Sequence, residues 1–289
     1  MRDEALSKDS IGSRLPTAHA GEADRAELKL RLVKFWDTSE FDRNPEVDEA
    51  AASLPYRNQM AAFVPQNSRM LDIACGTCAN ARWLLPRGQY YGVDISQGLL
   101  RLIRQAGLRL SCADAEHLPY RDGSFDAVLL TFALEHTVNP VGVLKEMRRV
   151  VCTGGRVILL GPTWDLPFWY PNALRSRAMK FGWLLRYALM RLAGQLKGWL
   201  FGVLPFLIIE DPEALTNKFE FDGDAVYITW SYEVIEQMKR IGCELIHWEI
   251  DNRLLGESVA VRFLKRLLML LPPYRRAGST ALMVFERKK

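Results

Sequence analysis

Two aspartates and one turn carry the chemistry that the chain can be read for. Asp94 closes an apolar run, YYGVD, eighteen residues after Gly76, which lies in the small-residue turn ACGTCAN (Ala74–Asn80). An acidic side chain placed there can hydrogen-bond both hydroxyls of a ribose held over the turn. Asp114 follows a third apolar run, in Cys112–Asp126 (CADAEHLPYRDGSFD). At a strand end its carboxylate could accept from an exocyclic adenine amine, while the Ala115 N–H reaches a ring nitrogen. Asp94 alone leaves NAD and S-adenosylmethionine both open. Two features separate them: ACGTCAN is not the G-x-G-x-x-G that close approach of a pyrophosphate needs, and the Asp114–Ala115 pair offers adenine recognition after the third strand. Cys75 and Cys78 have C-x-x-C spacing, which suggests redox or metal chemistry. No second cysteine or histidine pair follows at ligand spacing, so no metal is expected.

These residues need a sheet to position them. Arg69–Asn80 (RMLDIACGTCAN) runs apolar, then small, then into a helical pattern: a buried strand turning sharply into a helix, with backbone N–H groups at the mouth of the sheet. Strands are predicted over Met70–Ala74, Tyr90–Val93, Leu108–Ser111, Ala127–Thr131 and Val157–Leu160. Helices between them are predicted over Asn80–Leu85, Ser96–Ala106 and Val141–Val151, with a tight turn at Gly154-Gly155. The alternation implies a doubly wound, Rossmann-like α/β fold. A helix (Tyr232–Ile241), a strand (Glu244–Ile250), a basic apolar helix (Val259–Leu271) and a last strand (Ala281–Glu286) would complete a seven-stranded, mostly parallel sheet with antiparallel pairing at one edge.

At 289 residues, with 49% apolar and 25% charged residues and a net charge of +4, the chain is long and apolar enough for one folded domain with insertions. The expected organisation is a disordered N-terminus (1–22), N-terminal helices acting as a lid (23–66, with helices near 23–36 and 47–64), a cofactor-binding core (67–161), a basic aromatic helical insertion (162–225) and a closing segment (226–289). Five cysteines, an odd number without a disulfide framework's spacing, suggest reduced thiols and a cytoplasmic protein. Met1–Gly21 lacks an apolar h-region, and the longest uncharged apolar run, Gly198–Ile209, is too short to span a bilayer.

Five segments in order resemble the class I S-adenosylmethionine-dependent methyltransferases, in the branch that includes the quinone-biosynthesis enzymes. They are LDIACGT (Leu71–Thr77), GVDIS (Gly92–Ser96), DAEHLPYRDGSFD (Asp114–Asp126), ALEHTVNP (Ala133–Pro140) and EMRRVVCTGGRVIL (Glu146–Leu159). The resemblance covers about Val47 to Gly161 and implies S-adenosylmethionine as cofactor. It implies that Asp72, Ala74 and Gly76 line the methionine part, that Asp94 holds the ribose with Ile95 against the adenine, and that Asp114 and Ala115 read the adenine edge. Thr131 and Phe132 would flank the methionine or the substrate mouth. The chain departs from the family's D-x-G-x-G-x-G at Ala74 and Cys78, which stand where the first and third glycines would be.

Methyl transfer from a sulfonium is an in-line displacement, so the protein supplies orientation and, for a phenol or enol oxygen, a base. Of the four histidines, His136 is the candidate, because it follows the fourth strand beside Glu135 at the carboxyl end of the sheet. His117 and His247 read as structural. Leu166–Ile209 holds six basic residues, no acidic one, and nine interleaved aromatics. It reads as a lid over a hydrophobic small-molecule acceptor, as a peripheral membrane contact together with 261–276 on the inner membrane face, or as a homodimer interface. Its apolar density argues against nucleic acid. The acceptor class would be a quinone precursor, isoprenoid, polyketide or lipid. The competing class is a non-catalytic, cofactor-binding, membrane-associated partner in a biosynthetic complex.

Overall fold

The computed structural model describes residues 15–18, 21–38, 54–103, 107–174, 181–212, 223–251 and 259–289. Most of the N-terminus expected to be disordered, the first part of the helix expected near 47–64, the end of the Ser96–Ala106 helix, His19 and the basic residues Arg175, Arg177 and Lys180 lie outside the described residues.

Seven strands form one sheet in the order β3-β2-β1-β4-β5-β7-β6. They are β1 (Ser68–Ile73), β2 (Gly88–Asp94), β3 (Arg109–Cys112), β4 (Phe125–Thr131), β5 (Val151–Pro162), β6 (Cys243–Asp251) and β7 (Thr280–Arg287). β1 to β5 are parallel, and β7 runs antiparallel to both β5 and β6. The antiparallel strand is thus one place in from the edge. β5 starts earlier than the Val157 of the sequence reading: Val151 pairs with Phe125, and a register shift carries the pairing on to Ala127–Arg156.

Period-two alternation sorts the buried strands onto two faces. Leu71, Ile73, Val128, Leu130, Val157 and Leu159 pack on one side. There they meet α5 (Pro140–Val150), whose Val143, Leu144, Met147 and Val150 follow helical spacing. Pro140 opens α5, and the Asn139 side chain accepts from Gly142 N–H as its cap. Met70, Ala127, Leu129, Ile158 and Leu160 face the other way, onto α2 (Leu54–Ala62) through Met60 and Ala61 and onto α3 (Ala81–Leu84) through Ala81 and Leu84. α4 (Gln97–Leu102) follows β2, capped by Ser96 Oγ accepting from Leu99 N–H.

Between β5 and α7 (Ser231–Arg240) the chain makes a long excursion that includes α6 (Phe181–Phe201). It leaves and returns at one place, where Trp164 N–H donates to Thr229 O at 2.8 Å. Asp165, buried at that junction, accepts from Ser231 N–H and from the Ser231 and Thr163 hydroxyls. α8 (Val259–Leu268) lies between β6 and β7. Among the described residues, no helix is long and apolar enough to cross a membrane.

Candidate functional site

The turn after β1 is built from alternating left-handed residues: Ala74 (φ 52°), Gly76 (φ 53°) and Cys78 (φ 62°). Only glycine takes this conformation without a steric cost. The turn is held down by Cys75 N–H donating to Val93 O at 3.0 Å and by Cys78 N–H donating to Cys75 O at 2.8 Å. Cys75 and Cys78 are buried free thiols. The hydrogen bond of the Cys75 thiol to Cys78, then burial, pushes that thiol far up, opposite to the shift that activates a thiolate.

Asp94 ties the first two loops together. Its Oδ2 accepts from Gly76 N–H and its Oδ1 from Ser96 N–H, both at 2.9 Å. Burial raises its pKa, and the backbone donors offset this only in part. Ile95 N–H is a third backbone donor, and since a carboxylate has about four acceptor positions, capacity for a further donor remains. Ala113 N–H donates to Asp94 O at 3.0 Å, bringing the third loop alongside. Asp114 Oδ1 there accepts from Glu116 N–H at 2.9 Å.

α1 (Glu22–Thr38) lies across these loop ends. Lys29 pairs with Asp114 and, at 2.6 Å, with Glu116. Burial works to lower the Lys29 pKa, but the bonds to Asp114 and Glu116 outweigh it and leave it raised. Two turns on, about 10 Å along the axis, Trp36 Nε1 donates to Asp224 Oδ2 at 3.1 Å, and its ring meets His136 edge-on at 6.2 Å. Asp37 Oδ1 accepts from Ser96 Oγ at 2.8 Å. The helix therefore touches the loops after β2, β3 and β4.

His136 ends a short 3-10 turn, Leu134–His136. Its Nδ1 is 3.3 Å from Asp224 Oδ2, and its Nε2 is 3.6 Å from Oε1 of the buried Glu135. Glu135 O accepts from both Val226 and Tyr227 N–H, so the returning end of the excursion is fastened to this turn. Just before it, Phe132 is left-handed (φ 50°).

The family model described as a methyltransferase domain matches residues 71–159, the span that supplies every loop described above except those at Asp224 and α1. Residues 71–159 form a methyltransferase domain. Over 136 residues (43% of this chain, 58% of the relative) it is 32% identical to a demethylmenaquinone methyltransferase from Geobacillus kaustophilus. Over 100 residues (34% and 44%) it is 39% identical to one from a Mycobacterium species. The chain spans about half the length of these curated relatives. Among solved structures, the Burkholderia thailandensis 1,6-didemethyltoxoflavin-N1-methyltransferase, with bound 1,6-didemethyltoxoflavin and S-adenosylhomocysteine, aligns with a TM-score of 0.57. That alignment covers 96% of this chain and 94% of the other at 14% identity, a likeness of fold.

Within the methyltransferase domain, Ala74, Gly76, Asp94, Ile95, Asp114 and Ala115 sit on three adjoining loops at the carboxyl ends of β1, β2 and β3. Asp72 and Thr131 lie beneath them. Asp72 is fully buried; it accepts from Tyr90 OH at 2.7 Å and from Asn80 Nδ2 at 3.1 and 3.2 Å. Asn80 Nδ2 also donates to Thr131 Oγ1 (2.8 Å), and Asn80 Oδ1 accepts from Arg57 (2.8 Å). Burial first, and then the Asp72 charge, drives the Tyr90 pKa well up. Arg57, Asn80 and Tyr90 carry this network and were not singled out from sequence. The available signal was Asp72 inside an apolar strand, since a buried carboxylate demands partners. His117 is exposed, and His247 lies on the edge strand β6 against Phe63.

Proposed function

We propose that the protein transfers the methyl group of S-adenosylmethionine to oxygen or carbon of a hydrophobic small molecule of the quinone-precursor, isoprenoid, polyketide or lipid class. The observation that carries this reading is Asp94, fixed by backbone N–H groups of Gly76 and Ser96 with acceptor capacity left on its carboxylate. That donor and acceptor set fits the cofactor: Asp94 would hold the ribose, Ile95 would lie against the adenine, and Asp114 with Ala115 N–H would read the adenine edge. Ala74 and Gly76 would face the methionine part, with Asp72 and Thr131 supporting the turn from below. When bound, the cofactor supplies the electrophilic methyl carbon. The names of the curated relatives support the quinone-precursor class.

His136 would take the proton of a phenol or enol acceptor. Asp224 on its Nδ1 side and Glu135 on its Nε2 side would fix the ring and stabilise the imidazolium. α1, bridging Asp114 and His136, would cover the site during transfer.

The test is transfer of labelled methyl from S-adenosylmethionine into an extract of the source cells, followed by partition between organic and aqueous phases. Label in the organic phase supports the proposal. Label in a water-soluble metabolite rejects the lipophilic acceptor, and label on protein or RNA rejects the small-molecule class. Cofactor binding by calorimetry without any transfer would favour the non-catalytic partner.

A further inference from the structure

α6 and α8 are far apart in sequence, yet they share one cluster and one end of the molecule. Leu192 of α6, Leu268 at the end of α8 and Met269 just after it pack on buried Leu166, Tyr274 and Ala277. Tyr274 OH donates to Gln195 of α6 at 2.8 Å, and Lys265 of α8 lies 3.3 Å from the Trp169 ring centroid. Topology fixes which end this is. β5 and β6 finish at Pro162 and Asp251, and β7 starts at Thr280, with which both of them pair. The excursion carrying α6 and the connection carrying α8 therefore both leave from the carboxyl end of the sheet, the end that holds Gly76, Asp94, Asp114 and His136.

Among the described residues, both helices carry exposed apolar side chains. Phe181, Leu185, Leu189 and Leu200 are exposed on α6. On and just after α8, Phe263 (63% exposed), Leu264, Leu267 and Leu270 (73%) are exposed as well. Among these stand exposed Arg186, Lys197, Arg262, Arg266, Arg275 and Arg276. No aspartate or glutamate occurs from Leu166 to Ile209 or from Val259 to Arg276.

We infer that α6 and α8 together form a docking face for an anionic lipid surface, with the apolar side chains entering the acyl boundary and the arginines at the headgroups. Charge selects this occupant. A two-fold dimer would set the same patch against itself, bringing its cations together without a carboxylate to pair them. Phosphate headgroups are the complement that the face lacks. The docked face puts the carboxyl end of the sheet toward the bilayer, so an acceptor dissolved in lipid would be taken up on the side where the cofactor loops stand. The inference rests on the lipophilic-acceptor reading for its purpose; binding is measured without turnover, so either can fail alone.

The experiment is sedimentation of the full chain with vesicles of phosphatidylglycerol and phosphatidylcholine at low salt. Controls are phosphatidylcholine vesicles alone, raised salt, and oligomeric state by analytical ultracentrifugation. Expected is binding to the anionic vesicles only, weakened by salt. Arg262→Glu/Arg266→Glu should lower the partition coefficient at least ~10-fold, since each basic residue at such a surface contributes about fivefold. Phe263→Ser/Leu267→Ser should lower it comparably, with S-adenosylmethionine affinity unchanged in both double variants as the check on folding. Protein left in the supernatant, binding indifferent to these substitutions, or a stable dimer that dissociates in Phe263→Ser/Leu267→Ser would each overturn the inference.

Discussion

Replacing Ala74 and Cys78 separately by glycine gives opposite results if the turn is as described. Both residues are left-handed, at φ 52° and 62°. For an L-residue that conformation costs roughly 1–2 kcal/mol, and glycine removes the cost. Glycine also adds about 0.4–1 kcal/mol of unfolded-state entropy to be lost on folding. Ala74 is half-buried, so losing its methyl costs about half of the ~0.8 kcal/mol of a buried carbon. Ala74→Gly should therefore come out stabilising by about 0.5 kcal/mol. Cys78 is 3% exposed, and losing its whole side chain costs about 2 kcal/mol or more in burial and packing. Cys78→Gly should be destabilising by about 1–2 kcal/mol. The assay is urea unfolding followed by tryptophan fluorescence, comparing midpoints at a common slope. A stabilised Cys78→Gly would show that its burial is worth less than the strain, and an Ala74→Gly that loses more than about 1 kcal/mol would show that left-handed strain is not what that position carries.

The other predictions follow from single contacts. Asp94→Asn should weaken S-adenosylmethionine binding by ~10–100-fold in calorimetry, because the amide keeps one acceptor oxygen and its nitrogen accepts from neither a backbone N–H nor a ribose hydroxyl; unchanged affinity would remove Asp94 from the site. Glu233, buried with Phe206 N–H and Tyr227 OH as its donors, has its pKa pushed up to about 7, chiefly by burial. A carboxyl raised on folding stabilises most below its unfolded pKa and loses that contribution as pH rises through the folded value. Unfolding free energy should thus fall between about pH 4.5 and 7, and Glu233→Gln should flatten that fall in chemical denaturation. Gly198→Ala should destabilise by about 1–3 kcal/mol, because the new Cβ would stand 2.9 Å from the Trp230 ring and 3.2 Å from Val203 O. A neutral result in thermal melts would mean that α6 shifts freely. His136→Ala should cut kcat about 10²–10⁴-fold on an oxygen acceptor with KM little changed; an equal rise in KM would assign it to binding.

The parallel strands were legible because both faces of Met70–Ile73 and Ala127–Thr131 are covered, which writes continuous apolar runs into the sequence. Asp94 and Asp114 were legible for the opposite reason, as polar residues ending such runs. What sequence did not reveal is contact between distant segments. Arg57 is an ordinary charge on a helix until Asn80 is found beside it, and Lys29 reads as a solvated lysine until Asp114 and Glu116 close on it. Asp224 lies in a stretch without periodicity, so its approach to His136 left no local trace. The placement of β7 between β5 and β6 is set by pairing, which the order of elements along the chain does not encode.

The hydrogen bond between Trp164 and Thr229 marks where the long excursion opens and closes. Because its two ends are neighbours, the sheet is indifferent to how many residues run between them, provided the returning stretch from Asp224 to Tyr227 still meets Glu135 and His136. Such a junction behaves as a socket. The intervening stretch could lengthen, shrink or be exchanged between relatives while the cofactor loops, all from strands before it, kept their geometry. Acceptor choice and methyl-donor chemistry would then diverge at separate rates, and a chimaera joined at 164 and 229 is the natural place to divide the two.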